Sequence, residues 1–215
     1  MSLDALLASL ETPDFEENGN VRLQSASIKG ERVEIILGIT QSVPDQPEQL
    51  WKIACTDTIR YSLGERLSDW RDCIDLTQDH PAVWELTNPA VTLGIRGKAT
   101  DPVAVTGALA ICHERIAGPW IPFGDCLRLG VAPNKTVQAI DILSSGYGFL
   151  ARGPERLMLA YGEVLKEYGV EPLPSVGRNY SARLEAHIPV GDDSIQVLIF
   201  GSGYIVGRTF EASPV

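Results

Sequence analysis

The sequence is poor in the residue groups that build metal sites and disulfide frameworks. Its 215 residues include only four cysteines and three histidines: Cys55, Cys73, Cys112, Cys126, His80, His113 and His187. None of them forms a Cys-x-x-Cys or His-x-x-x-His group, the close spacing that zinc sites use. We therefore predict no metal, no cofactor and no structural disulfide, and we interpret the cysteines as reduced thiols.

Nucleophile and nucleotide-binding motifs are also missing. The chain has no Gly-x-Ser-x-Gly. Gly-x-Gly occurs at 146–148 and 201–203 without the third glycine of a dinucleotide-binding loop, so we interpret both as tight strand junctions. Cys126 and His187 could act together only if the fold brings them within hydrogen-bond reach. The sequence assigns no catalytic residue and favours a protein that is not an enzyme.

Long apolar runs and positive charge are scarce. No run approaches the roughly 18 to 20 apolar residues of a membrane-spanning helix, and residues 1–7 lack the basic and apolar regions of a secretory signal. The 18 Lys and Arg are outnumbered by 28 Asp and Glu, which gives a formal charge of −10. This balance disfavours binding to nucleic acid phosphates or to anionic lipid. We expect a cytoplasmic protein that contacts neither nucleic acid nor membrane.

Two segments carry apolar residues at the same helical spacing. Each set falls at i, i+4, i+7 and i+11. Each also follows a proline, Pro102 or Pro154, which suits a first helical turn. The first set is Val105, Leu109, Cys112 and Ile116, and the second is Leu157, Tyr161, Val164 and Tyr168. We predict a helix in each segment. Cys112 is interpreted as a buried thiol of the first stripe, and His113 and Glu114 as solvent-facing neighbours.

Similar residues follow both helices in the same order. Strands are predicted at 127–131 and 136–138 in the first segment and at 182–184 and 194–196 in the second, and each segment then reaches Ser-Gly-Tyr and a third apolar run. The order predicts two tandem αβββ repeats, residues 102–152 and 154–210. We expect an α+β fold with a mixed or antiparallel sheet and helices on one face.

The first hundred residues resemble a divergent copy of the same unit. A leucine stripe at 3–10 predicts a helix, strands are predicted at 21–23 and 33–39, and alternating apolar residues at 91–95 predict a third strand. Residues 41–89 then form an insertion. The predicted domains are 1–100 and 101–215, with one continuous domain as the alternative. The order of a helix and a three-stranded meander in a small acidic chain resembles the type III secretion chaperone-like fold, although no motif carries this likeness.

Aromatic residues provide the candidate binding positions. Three tryptophans fall within the insertion, and two tyrosines belong to the Ser-Gly-Tyr segments: Trp51, Trp70, Trp84, Tyr147 and Tyr204. Trp70 has the most polar neighbourhood, which favours an exposed anchor, whereas alternation around Trp51 and Trp84 favours packing in strands. The two tyrosines could line one groove between the repeats.

Acidic residues near the N-terminus add an electrostatic feature: Glu11, Asp14, Glu16, Glu17, Asp45 and Glu48. They form either a solvated face or a field that steers a basic partner. We therefore favour a protein-interaction module, with a chaperone-like or toxin-neutralising role, that binds another, basic protein. The alternatives are a small-molecule-binding protein or enzyme with a groove between repeats, and a structural subunit of a homo-oligomer.

Overall fold

The computed structural model describes residues 3–41, 47–63, 69–70, 74–127, 135–176, 194–201 and 203–215. The chain divides into two compact units: unit 1 contains Met1–His80 and Asp193–Val215, and unit 2 contains Pro81–Asp192. This division differs from the predicted boundary at residue 100. The reason is that the last strands pair with the N-terminal segment, with Pro214 opposite Trp51 and Val197 opposite Thr77.

Unit 1 contains two antiparallel sheets and two short helices, α1 (Leu3–Leu10) and α2 (Pro13–Asn18). The five-stranded sheet has the order β12-β3-β2-β1-β5, formed by β1 (Gly19–Lys29), β2 (Arg32–Gln41), β3 (Gln49–Thr56), β5 (Asp69–Trp70) and β12 (Thr209–Pro214). The four-stranded sheet has the order β4-β11-β10-β6, formed by β4 (Arg60–Ser62), β6 (Ile74–Thr77), β10 (Gln196–Phe200) and β11 (Gly203–Gly207).

The β1–β2 hairpin follows from the alternation in the sequence, as predicted. Val33, Ile35 and Leu37 are buried at every second position of β2, which directs one face of the sheet to the core. Residues 49–56, which the sequence analysis placed in an insertion, instead form the strand β3 between β2 and β12. Apolar residues of α1 and of both sheets share one core.

Unit 2 contains a three-stranded antiparallel sheet of order β8-β7-β9, formed by β7 (Ala90–Arg96), β8 (Tyr147–Pro154) and β9 (Glu171–Val176). Its helices are α3 (Pro81–Thr87), α4 (Pro102–Ala117), α5 (Phe123–Cys126), α6 (Lys135–Ser145) and α7 (Glu155–Glu167), with a 3-10 turn at Gly118–Trp120. Helices together with antiparallel sheets confirm the α+β class. Among the described residues, no helix is long and apolar enough to cross a bilayer.

The predicted stripe of α4 is present, and that of α7 is present except for Tyr168, which follows the helix and is 42% exposed. Val105 and Leu109 of α4 and Leu157 and Tyr161 of α7 are fully buried. The Asp101 carboxylate caps α4, because it accepts hydrogen bonds from the first free N–H groups of the helix.

The predicted strand at 136–138 is wrong, because residues 135–145 form the helix α6. Its stripe of Ala139, Ile142 and Leu143 packs in the core of unit 2, and this spacing of i, i+3 and i+4 belongs to a helix. The predicted strand at 127–131 is described only at Leu127, which lies in a turn, and the predicted strand at 182–184 lies outside the described residues. The described residues of 102–152 therefore contain a helix where the predicted repeat has its second strand.

Candidate binding site

Unit 1 contains a cavity of about 130 Å³ where α1 and α2 meet the end of β2 and the start of β3. We call it the apolar cavity after the type of six of its eight lining residues, although polar atoms form the larger part of its accessible wall: Leu6, Ser9, Leu10, Phe15, Ile39, Pro47, Gln49 and Trp51. A cavity of about 150 Å³ with apolar walls accepts benzene in another protein. The apolar cavity therefore has room for one aliphatic side chain.

Local sequence features position its walls. Leu6 and Leu10 are four residues apart on α1, so they project from one side of the helix. The Thr12 hydroxyl accepts a hydrogen bond from the backbone N–H of Phe15 and thereby starts α2. Trp51 enters from β3 with 6% of its surface exposed. The cavity is thus built from two short helices, of which α2 is capped by Thr12, against a sheet.

Negative charge is concentrated in the same unit. Unit 1 has 17 Asp and Glu against 8 Lys and Arg, a formal charge of −9, whereas unit 2 has 11 against 10, a charge of −1. Exposed Asp4, Glu11 and Glu17 lie on or beside the two helices that form the cavity. A surface of one sign attracts counter-charged partners over roughly a Debye length, about 8 to 10 Å at ordinary salt.

The predicted tryptophan positions have three different outcomes. Trp51 is buried and lines the apolar cavity. Trp84 is also buried, with the Arg156 guanidinium 5.4 Å from its ring centroid, so it is not an exposed anchor, and it lies on helix α3 rather than on the predicted strand. The backbone of Trp70 pairs with Val21 at the edge of the five-stranded sheet, while its side chain lies outside the described residues.

The two predicted tyrosines belong to different units. Tyr147 of β8 is 75% exposed beside Phe149, which is 62% exposed. The two lie opposite Arg96 and Gly94 of β7, so they share the solvent face of the three-stranded sheet. Tyr204 is half-buried on β11 in unit 1. Tyr147 therefore provides an exposed aromatic surface that does not depend on the predicted repeats.

A buried polar cluster in unit 2 was missed from the sequence. His113, which was expected to face solvent, is 2% exposed. Its Nδ1 lies 2.8 Å from the Tyr161 hydroxyl, and its Nε2 contacts the backbone oxygen of Ile121. The prediction failed because Ile121, which follows the end of α4, returns to cover the side of the helix that carries His113. A polar residue next to an apolar stripe does not indicate in the sequence that a later segment will cover it.

Burial keeps the reactive groups near this cluster in their protonated, less reactive forms. Burial raises the pKa of the Cys126 thiol to about 12 and also raises the pKa of the Tyr161 hydroxyl, so both stay protonated at neutral pH. Cys112 is buried, as predicted. The described cysteines Cys55, Cys112 and Cys126 are free thiols. His187, the predicted partner of Cys126, lies outside the described residues.

In the part of the chain that the structure describes, no three His, Cys, Asp or Glu side chains group together as metal ligands. No protein-family model, curated protein or solved structure matches the chain.

Proposed function

We propose that the protein is an interaction module that binds a basic, amphipathic segment of another protein through the apolar cavity of unit 1. One observation carries this proposal: a cavity with Leu10, Phe15 and Trp51 in its walls lies in the unit that holds −9 of the formal charge of −10. The negative charge suits a chaperone-like or toxin-neutralising role in the cytoplasm.

The two parts of such a ligand have separate tasks. An apolar side chain enters the cavity, and burial of one Leu or Met contributes about 1.5–3 kcal/mol. Micromolar affinity requires about 8 kcal/mol, so the flanking Lys and Arg residues and the further contact area must supply the rest. Exposed charges are screened by salt. Binding therefore weakens as salt is added, and both the apolar residue and the positive charge are needed.

Three labelled helical peptides test this proposal in fluorescence anisotropy titrations. The first combines Leu with Lys, the second combines Leu with Glu, and the third combines Ser with Lys. We expect the Leu/Lys peptide to bind at least tenfold more tightly than either of the others, because it alone offers both an apolar side chain and positive charge. Equal binding of the Ser/Lys and Leu/Lys peptides would show that charge alone acts, and the cavity proposal would fail.

A matched pair of variants on α1 tests the location. Ser9 lines the cavity, and its neighbour Ala8 is exposed and does not. Ser9→Leu places a larger apolar side chain at the cavity wall and is expected to weaken the Leu/Lys peptide at least tenfold. Ala8→Leu adds the same side chain to the same helix and is expected to leave affinity unchanged. If Ala8→Leu weakens binding as much as Ser9→Leu, the peptide lies elsewhere on the helix.

A further inference from the structure

The solvent-facing side of α4 in unit 2 is apolar. Val103 is 64% exposed and Ile111 is 73% exposed, and the exposed Gly107 lies midway between them. The three residues are four positions apart, so they form one row along the side of the helix opposite its buried stripe. A surface helix normally directs polar residues to solvent, and this row does not.

Helix α7 of the same unit shows the ordinary pattern. Its exposed positions include Arg156, Glu163 and Lys166. In contrast, α4 has no Asp, Glu, Lys or Arg between Asp101 and Glu114. Its exposed side therefore lacks the charged groups that make a helix face favourable in water.

The described residues do not account for Gly107. It lies inside a regular helix, where glycine is less favourable than alanine because its backbone loses more freedom on folding. A Cβ added at this position would meet open space, with no contact from neighbouring elements within 4 Å. Glycine at a surface position allows the backbone of another segment to approach closely.

We propose that this face of α4 binds the α4 of a second copy of the chain, antiparallel and related to it by a two-fold axis at Gly107. The row is symmetric about this glycine, because Val103 precedes it by four residues and Ile111 follows it by four. An antiparallel pair centred on Gly107 therefore places Ile111 of each copy against Val103 of the other. A symmetric dimer requires this self-complementarity.

The charges at the two ends of the row are complementary under the same symmetry. Lys98 and Asp101 are exposed at the N-terminal end, and Glu114 and Arg115 are exposed at the C-terminal end. In the antiparallel pair the two ends meet, so each positive side chain lies within one helical turn of a negative side chain of the other copy. Unit 2 has a formal charge of only −1, so two copies meet through it with little repulsion. This inference is independent of the peptide binding proposed for unit 1.

Sedimentation equilibrium of the full chain tests the proposal. One helix face is smaller than a standard protein–protein interface, so we expect a reversible equilibrium between monomer and dimer with a dissociation constant in the micromolar range. A chain that remains monomeric at concentrations up to about 1 mM would overturn the proposal.

Gly107→Leu separates a role in dimerisation from a role in folding. The added side chain holds the two helices apart, so we expect the dimer to dissociate at least tenfold more readily. In the monomer the side chain has open space, and leucine favours a helix more than glycine does. Urea unfolding of the dilute, monomeric proteins should therefore show that the variant is at least as stable as the wild type. An unchanged dissociation constant would exclude this face as the interface.

A matched pair of charge substitutions tests the location. Ile111→Glu places a charge in the proposed apolar contact and is expected to weaken dimerisation at least tenfold. Phe149→Glu makes the same change at a residue that is 62% exposed on the three-stranded sheet, and it is expected to leave the dissociation constant unchanged. Equal weakening by the two variants would attribute the effect to net charge and exclude the proposed interface.

The antiparallel register has its own test. Val103→Lys is expected to weaken the dimer in the same way as Ile111→Glu. With both substitutions in one chain, the antiparallel pair brings the opposite charges of the two copies together, so the double variant should dimerise more tightly than either single variant. A parallel pair would instead bring like charges together. A double variant that dimerises no better than the single variants would contradict the antiparallel pair.

Discussion

His113 of α4 and Tyr161 of α7 are joined by a buried side-chain hydrogen bond of 2.8 Å across the core of unit 2. The backbone oxygen of Ile121 can only accept, so the Nε2 of His113 donates to it and Nδ1 accepts from the Tyr161 hydroxyl. The Phe123 ring lies 5.3 Å from the imidazole and 6.3 Å from the phenol, measured between centroids. One polar pair thus connects the two longest helices inside an aromatic cluster.

Tyr161→Phe is expected to destabilise the protein by about 1–3 kcal/mol, because His113 Nδ1 loses its donor in a site without water access. Urea unfolding measures this change. Tyr168→Phe provides the control, since Tyr168 follows α7 and is 42% exposed. Equal stabilities of the two variants would mean that the buried hydrogen bond contributes nothing to folding.

The buried thiol of Cys126 makes stability depend on alkaline pH. Burial raises the pKa of this thiol from 9.0 to about 12. A raised pKa in the folded state gives a stabilising contribution that is complete below about pH 9 and is lost as the pH rises towards 12. The loss amounts to about 1.4 kcal/mol per pH unit in that range.

The comparison of the wild type with Cys126→Ala isolates this effect, because all other titrating groups are shared. We expect the wild type to lose stability more steeply than Cys126→Ala between pH 9 and about pH 10.5 in urea unfolding experiments. Below pH 9 the difference in the free energy of unfolding between the two proteins is constant, and it measures the contribution of the packing of the Cys126 side chain. Parallel curves across the whole range would contradict a buried, protonated thiol.

Local periodicity predicted the elements whose burial is one-sided. The stripe of Val105 and Leu109 predicted α4, and the alternation of Val33, Ile35 and Leu37 predicted β2, because each element presents one face to the core. The same rule failed for α3. Its residues Ala82, Val83 and Trp84 are all buried, so three consecutive positions show no alternation of apolar and polar residues that would reveal the helical period.

The failures elsewhere have a different cause. A strand was predicted at Thr136 and Val137 because their residue types resemble those of the corresponding positions in the second segment. The nearby Ala139, Ile142 and Leu143, however, carry the spacing of a helix. The apolar cavity was missed because Leu10, Phe15 and Trp51 come from three separate elements, and nothing in the local sequence shows that these elements meet.

Gly146 of the Ser-Gly-Tyr segment adopts a left-handed backbone conformation. It lies at the junction of helix α6 and strand β8, whereas the sequence predicted a junction between strands. Its φ is +79°, and an added Cβ would lie 2.8 Å from the backbone nitrogen of Lys98. Left-handed backbone costs a residue with a side chain roughly 1–2 kcal/mol. Gly146→Ala must also displace backbone, so we expect a loss above 2 kcal/mol, about the upper end of that range.

Gly169→Ala separates the two costs. Gly169 has a φ of +72°, and no atom lies within 4 Å of an added Cβ, so its substitution is expected to cost only about 1–2 kcal/mol. Thermal and urea unfolding of both variants provide the measurement. A smaller loss for Gly146→Ala than for Gly169→Ala would show that the junction has room for a side chain.

The acidic surface beside the apolar cavity predicts how fast a basic peptide binds. Glu11 and Glu17 are exposed around α2, so Glu11→Lys with Glu17→Lys reverses the local field while the cavity walls remain. Steering acts on encounter rather than on the final contacts. We expect the association rate constant of the Leu/Lys peptide to fall several-fold at low salt in stopped-flow fluorescence, with a smaller change in the dissociation rate, and the difference from the wild type to shrink at high salt.

The control pair Glu114→Lys with Glu167→Lys changes net charge equally in unit 2, where both residues are exposed. Local steering requires this pair to slow association less than the pair in unit 1. Equal slowing by both pairs would show that only the total charge matters, and equal rates for all three proteins would remove electrostatic attraction from the binding model.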